Sequence, residues 1–190
     1  IMPSLVGSEM CIRDRPDGVV MVNAPADTTI SDLLDRGDID GFMAPRAPSG
    51  AARSNPAIGW LFDDPTATAK DYYRRTGIFP IMHVLGVRKE LAERHPWLPA
   101  ALFKAFSLAK AAALDKLDDT SATKVTLPFV EEQLRAARQT MGPDYWSYGV
   151  ADNLPTLEAF TRHHHAQGLS ARHVPVSELF HPGTYETYKI

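Results

Sequence analysis

Length, composition and charge exclude several classes of protein. The chain has 190 residues, of which 44% are hydrophobic and 23% charged, and its formal net charge is -3. This is the composition of a globular chain rather than a largely disordered one. The slightly negative charge predicts no basic surface, so we expect no nucleic-acid partner. No apolar run approaches the ~18 residues that a membrane span needs, so none is predicted.

The first fifteen residues do not resemble the rest of the chain. Cys11 is the single cysteine, which excludes an intrachain disulfide. It lies in the stretch 7–15, which resembles the translated read-through of a transposase sequencing adapter. We therefore expect residues 1–15 to be non-native and to pack against nothing. The native sequence would then begin near Pro16, in mid-protein, and any signal peptide would lie upstream.

The segment after Pro16 predicts a unit of strand, helix and strand. Residues 19–22 form a short β-rich run, and residues 39–43 form a second. Between them lies a predicted helix at 30–36, which follows a threonine pair suited to an N-cap. Gly37 suits the position after the last helical residue, where a left-handed conformation costs little. This order is typical of a parallel α/β unit.

The middle of the chain predicts a loop, a short helix and a strand. Residues 44–57 are rich in Pro, Gly, Ala, Ser and Arg, which favours a surface or cleft loop. A short helix is predicted at 67–75 and ends before Gly77. Residues 81–87 are almost continuously apolar, which predicts a strand covered on both faces.

The remainder of the chain is predicted to be helical. An apolar stripe at a period of 3.6 residues predicts a long helix at about 96–117. A second helix is predicted at 127–141, where Gly142 ends it, and a third at 154–167. One last helical turn is predicted at 176–180.

A thirteen-residue block carries a family resemblance. Residues 72–84 read YYRRTGIFPIMHV and closely resemble the signature segment of the 4,5-dihydroxyphthalate decarboxylase family. Shorter similar stretches occur in matching order at 26–34, 37–40, 44–49, 93–97, 141–149 and 167–170. The similarity covers about residues 19–190.

The resemblance implies a fold as well as a family. It implies an α/β protein of the type II periplasmic-binding-protein-like class, in which two lobes flank a cleft. The chain would hold an incomplete version, with part of the second lobe and the C-terminal helices. On this interpretation residues 16–88 are a lobe portion with the interlobe crossover, and residues 89–190 are a helical portion.

The resemblance also implies an activity. It is the non-oxidative decarboxylation of a dihydroxylated aromatic dicarboxylate to protocatechuate, in the cytoplasm and without an organic cofactor. Such a reaction needs an acid near the ring carbon and a cation for the remaining carboxylate. The alternative is a periplasmic solute-binding protein that captures a small aromatic anion for an ABC-type transporter. Both alternatives stay open because a fold does not fix a function.

His83 is the predicted catalytic residue. It lies within the family-like block and inside the predicted apolar strand, where an ionisable side chain is costly to bury without a partner. An imidazole with a pKa of ~6.5 suits proton transfer near neutral pH. The alternative is a structural histidine that is hydrogen-bonded to the backbone.

Five further residues are predicted to bind the substrate. Arg46 and Arg75 could hold carboxylates, because a guanidinium binds a carboxylate through two hydrogen bonds. Thr76 and Gly77 could present a hydroxyl and an amide, and Tyr73 could stack on an aromatic ring. The alternatives are solvated arginines, a plain turn and a core tyrosine.

The three consecutive histidines at 163–165 do not predict a metal site. Neighbouring residues on a helix point ~100° apart, so three in a row cannot converge on one ion. We interpret them as a solvated helix face, and no metal is predicted elsewhere in the chain.

Overall fold

A computed structural model describes residues 20, 22–44, 46–121 and 125–185. The chain divides into two compact units, one comprising 17–69 and the other 70–190, and each is described by itself. The helices are α1 (Ile30–Arg36), α2 (Pro65–Thr76), α3 (Lys89–Arg94), α4 (Leu98–Asp118), α5 (Val130–Met141) and α6 (Leu154–Ala166). Short 3-10 turns occupy Gly50–Arg53, Ala151–Asn153, Val176–Glu178 and Pro182–Thr184.

Helix α1 organises the unit formed by residues 17–69. It begins with a reciprocal capping pair, in which the Asp32 amide donates to the Thr29 hydroxyl at 3.1 Å and the Thr29 amide donates to the Asp32 carboxylate at 2.9 Å. It ends at Gly37, which has a φ of 74°. Each device satisfies backbone groups that a helix end leaves without partners. The predicted helix at 30–36 is therefore confirmed.

The following loop packs back onto α1 in the same unit. Ser31 is buried, and its hydroxyl accepts a hydrogen bond from the Ser49 amide at 3.1 Å. The Asn55 side chain donates to the Asp35 carboxylate at 2.9 Å. Between these two contacts, Ala52 is buried in the turn that contacts α1. Side-chain hydrogen bonds thus replace regular structure in holding this loop.

The second unit contains the long helix α4 and its neighbours. Helix α4 contacts α3, α5 and the turn Pro182–Thr184. Pro99 lies in its first turn, where the missing amide proton leaves no hydrogen bond broken. Helix α5 ends at Gly142, as predicted, and α6 confirms the helix predicted at 154–167.

A small apolar core stabilises the end of this unit. Val150, Leu157 and Val176 are buried together, and Phe180 and Tyr185 pack against them. This core joins α6 to the turn Val176–Glu178, which confirms the predicted last helical turn. Burial of these side chains is the main force that positions the segment after α6.

The predicted α/β, periplasmic-binding-protein-like fold is wrong for this chain. Within the described ranges the regular structure is helical and no residue lies in a strand or sheet. Residues 39–43 form bends and irregular chain, and residues 81–87 have no regular secondary structure. A strand is defined by its hydrogen-bonded neighbour, and the apolar pattern alone supplies none. Of the strand predicted at 19–22, only Val20 and Val22 are described, and neither is in a strand.

Two other predictions concern the N-terminal residues and the absence of a membrane span. The predicted non-native segment, residues 1–15, lies outside the described residues. In the described part of the chain, no helix combines the length and apolar character needed to cross a bilayer.

Candidate functional site

The C-terminal end of α2 carries four of the predicted site residues. Arg75 donates from its Nε to the carboxylate of Asp71, one turn earlier, at 2.8 Å, and both side chains are exposed. No other partner of Arg75 occurs among the described residues. Its terminal nitrogens therefore remain available to a carboxylate while Asp71 orients the group.

Thr76 and Gly77 use their donor groups to end the helix. The Thr76 hydroxyl donates to the Tyr72 carbonyl at 2.7 Å and accepts from the Ile78 amide at 3.1 Å. The Gly77 amide donates to the Tyr73 carbonyl at 2.7 Å, and Gly77 has a φ of 67°. A substrate contact by these residues, which stays a prediction, would have to use the second lone pair of the hydroxyl or replace a capping bond.

His83 lies on the irregular segment that follows Gly77. It is exposed, and its neighbours Met82 and Val84 are each 70% exposed. No hydrogen bond or ion pair of His83 occurs within the described ranges. His83 was predicted to be catalytic partly because it was expected in a buried strand. It is not buried, and its imidazole is open to solvent.

The structure groups some of the predicted residues and separates one. Tyr73, Arg75, Thr76 and Gly77 share the end of α2 in the unit 70–190, and Tyr73 is half-buried. Arg46 belongs to the other unit, where it is exposed at a bend and has no partner among the described residues.

A cation-centred cluster lies beside this segment, and the sequence did not predict it. Lys110 on α4 donates from its Nζ to the Asp144 carboxylate at 2.8 Å and to the Trp146 carbonyl at 3.1 Å. The same atom lies 5.0 Å from the centre of the Tyr148 ring, and the Lys110 side chain is only 15% exposed. Phe79 packs edge to face against Trp146. The two family-like stretches 72–84 and 141–149 therefore meet in space.

An open cavity of about 970 Å³ lies along α6. Its lining includes the side chains of Arg162, His165, His173 and Tyr185. The His173 Nε2 is 3.2 Å from the Thr161 hydroxyl, and the rings of His165 and His173 are 6.5 Å apart. None of the predicted site residues lines this cavity, and the sequence alone gave no reason to pair the two histidines.

Two of the three histidines at 163–165 contact other residues. His164 packs against Phe160, with ring centres 5.5 Å apart, and the His165 Nδ1 is 3.0 Å from the Ser170 carbonyl. Among the residues that the structure describes, no group of three or more His, Cys, Asp or Glu side chains could hold a metal ion.

Two ion pairs lower carboxylate pKa values in the helical unit. Arg138 on α5 donates two hydrogen bonds to Asp118 at the end of α4, at 2.7 and 2.5 Å. These bonds hold the pKa of Asp118 below its ordinary value. Arg172 hydrogen-bonds Glu178 and lowers the pKa of that carboxyl in the same way. Both pairs are exposed, and each joins two segments of the chain.

The described residues form a helical protein. Arg75 on α2 keeps its terminal nitrogens free, and the exposed His83 lies further along the segment that follows this helix.

Comparison with known proteins gives the family. No protein-family model matches the chain. Over 175 residues the chain is 57% identical to the 4,5-dihydroxyphthalate decarboxylase of Comamonas testosteroni, a match that covers 92% of this chain and 53% of that protein. It is 36% identical over 66 residues to the protein of the same name from Pseudomonas putida, covering 35% of this chain and 26% of that protein. The chain belongs to the 4,5-dihydroxyphthalate decarboxylase family and spans about half the length of the first of these relatives.

Proposed function

We propose that the full-length protein decarboxylates 4,5-dihydroxyphthalate to protocatechuate. The observation that carries this proposal is the 57% identity, over 92% of the chain, to a protein named for that activity. The matched part is about half of that relative, so the activity is proposed for the full-length protein and not for the 190 residues alone.

The substrate determines which groups the reaction needs. Each ring hydroxyl is para to a carbon that carries a carboxylate. Deprotonation of one hydroxyl sends electron density to that carbon, which takes a proton. Carbon dioxide then leaves, and the electron pair of the broken bond restores the aromatic ring. One proton is added to the ring for each carbon dioxide released, and the second carboxylate remains unchanged.

His83 is proposed to supply that proton. Support comes from its position in the family-like block and from its open imidazole, which has no partner among the described residues. A histidine exchanges protons near neutral pH, where the carboxylates of the substrate are ionised.

The arginines are proposed to hold the carboxylates. Arg75 keeps its terminal nitrogens free while Asp71 holds its Nε, which supports binding of a carboxylate through two hydrogen bonds. Arg46 is proposed as a second cation, supported by its lack of a partner in the described residues. Thr76, Gly77 and Tyr73 are proposed as contacts to the ring and its hydroxyls.

The alternative function is capture of a small aromatic anion for a transporter. We favour the enzyme because both of the relatives compared above are named as decarboxylases.

Turnover by the full-length protein tests the proposal. Incubation with 4,5-dihydroxyphthalate should give protocatechuate and carbon dioxide in equal amounts. Phthalate, which lacks the hydroxyls, is the matched control and should bind without being decarboxylated. Binding of 4,5-dihydroxyphthalate without any product would reject the enzyme and favour the transport function.

A further inference from the structure

Residues 79–87 form an apolar surface that the described part of the chain leaves uncovered. Residues 81–86 are all exposed, and the exposed fraction is 38% for Ile81, 70% for Met82 and Val84, and 60% for Leu85. Single exposed apolar side chains are common on proteins, whereas a continuous run of them marks an interaction surface. His83 is the only ionisable side chain within the run.

The backbone of the same segment also lacks hydrogen-bond partners among the described residues. Residues 77–88 lie outside the helices, and within the described ranges no backbone hydrogen bond involves residues 79–87. Polar backbone groups in an apolar segment need hydrogen-bond partners once water is excluded. A segment with free N–H and C=O groups can form hydrogen bonds with another length of chain. Among the described residues, nothing therefore covers the side chains of residues 81–86 or pairs with the main chain of the segment.

The segment is nevertheless fixed at its two ends. At one end the cap at Gly77 and the contact between Phe79 and Trp146 position it. At the other end Arg88 leads directly into α3, because its carbonyl accepts from the Leu91 amide at 3.0 Å. An apolar segment anchored in this way presents a preformed surface rather than a mobile tail.

The length of the relatives indicates what covers this surface. The chain matches 53% of the Comamonas testosteroni protein, so just under half of that protein has no counterpart in it. We propose that residues 79–87 are the docking surface for this unmatched portion of the longer polypeptide. That portion covers the apolar side chains and supplies hydrogen-bond partners to the main chain. This inference concerns assembly and does not depend on the proposed reaction.

Reassembly from two parts tests the docking surface. The 190-residue chain is mixed with the separately produced unmatched portion of the Comamonas testosteroni protein, and the dissociation constant and mass of the complex are measured. We expect a one-to-one complex. Leu85→Asp should weaken it at least about tenfold, because a carboxylate would be buried in an apolar contact.

Leu127→Asp is the matched control. Leu127 is the same residue type with the same exposed fraction of 60%, and it lies before α5 rather than in the segment. The Leu127→Asp substitution should leave the dissociation constant of the complex unchanged within about twofold. Equal weakening by the two variants, no weakening by Leu85→Asp, or a homodimer of the chain in place of the complex would overturn the inference.

Hydrogen exchange in the intact Comamonas testosteroni protein gives an answer even if the separate parts do not fold. The amides of the segment equivalent to residues 79–87 should be protected from exchange, as covered and hydrogen-bonded amides are. Free exchange of this segment in the intact protein would overturn the inference.

Discussion

Phe79 and Trp146 pack edge to face, with ring centroids 5.7 Å apart and ring planes at 65°. The pair joins the segment that follows α2 to the loop that follows α5. Both belong to stretches that resemble the family. It also holds one end of the exposed apolar segment 79–87.

The Phe79–Trp146 pair should contribute measurably to stability. A double-mutant cycle with Phe79→Leu and Trp146→Leu, followed by urea unfolding, should give a coupling energy of about 0.5–1.5 kcal/mol. Trp97→Leu is the control because the Trp97 ring contacts His95 instead. Its coupling to Phe79→Leu should be near zero. Additive effects of Phe79→Leu and Trp146→Leu would show that the ring contact is energetically neutral.

Lys110 should stabilise the loop 142–149. Lys110→Met removes two hydrogen bonds and the contact with the Tyr148 ring while keeping the length of the side chain. We expect a loss of about 1–3 kcal/mol in the free energy of unfolding. Lys116→Met, on an exposed position of the same helix, should change that free energy by less than about 0.5 kcal/mol. Similar effects of the two substitutions would show that the contacts of Lys110 with the loop 142–149 do not stabilise the folded state.

The Asp118–Arg138 pair should make stability depend on pH in the acid range. Hydrogen bonds from Arg138 lower the pKa of Asp118 from its ordinary value of 3.8, so the folded state binds this proton less readily than the unfolded state. The stabilisation is therefore present above the ordinary pKa and is lost as pH falls through the lowered value.

Thermal unfolding of the Asp118→Asn variant tests this pH dependence. The melting temperature should lie below that of the unchanged chain at about pH 6, and the difference should shrink by about pH 3. Asp115→Asn on the same helix is the control, since no ion pair of Asp115 occurs among the described residues. A difference in melting temperature that stays constant between these two pH values would show that protonation of Asp118 does not control the stabilisation.

The helices could be predicted because their signals are local. Helix α1 begins with the contact between Thr29 and Asp32, which are three residues apart, and ends at Gly37. Helix α5 ends at Gly142. The strand predicted at 81–87 failed because its apolar pattern requires a cover that the described chain does not supply. The short helix α3 was missed, since six residues give no clear period.

The candidate site was harder to predict because its contacts join distant segments. Thr76 and Gly77 were chosen for their polar groups, which are engaged in ending α2. Nothing local in the sequence brings Lys110 to the loop 142–149 or His165 to His173. These pairs form through tertiary packing, which one sequence does not reveal.

His83 should be needed for turnover by the full-length protein. Replacing it by Gln removes the imidazole that is proposed to donate the proton and keeps a polar side chain of similar reach. We expect the turnover number to fall by about 10²–10⁴-fold, with a much smaller change in substrate affinity. His163→Gln is the control because His163 is exposed on α6 and should leave both values unchanged. Unchanged turnover in the His83 variant would remove it from the mechanism.

Product analysis in D₂O tests the proposed decarboxylation. The full-length protein is incubated with 4,5-dihydroxyphthalate, and the products are quantified and examined by NMR. We expect one carbon dioxide for each protocatechuate, with a single deuterium on the ring carbon that lost its carboxylate. Recovery of bound but unchanged 4,5-dihydroxyphthalate would contradict it.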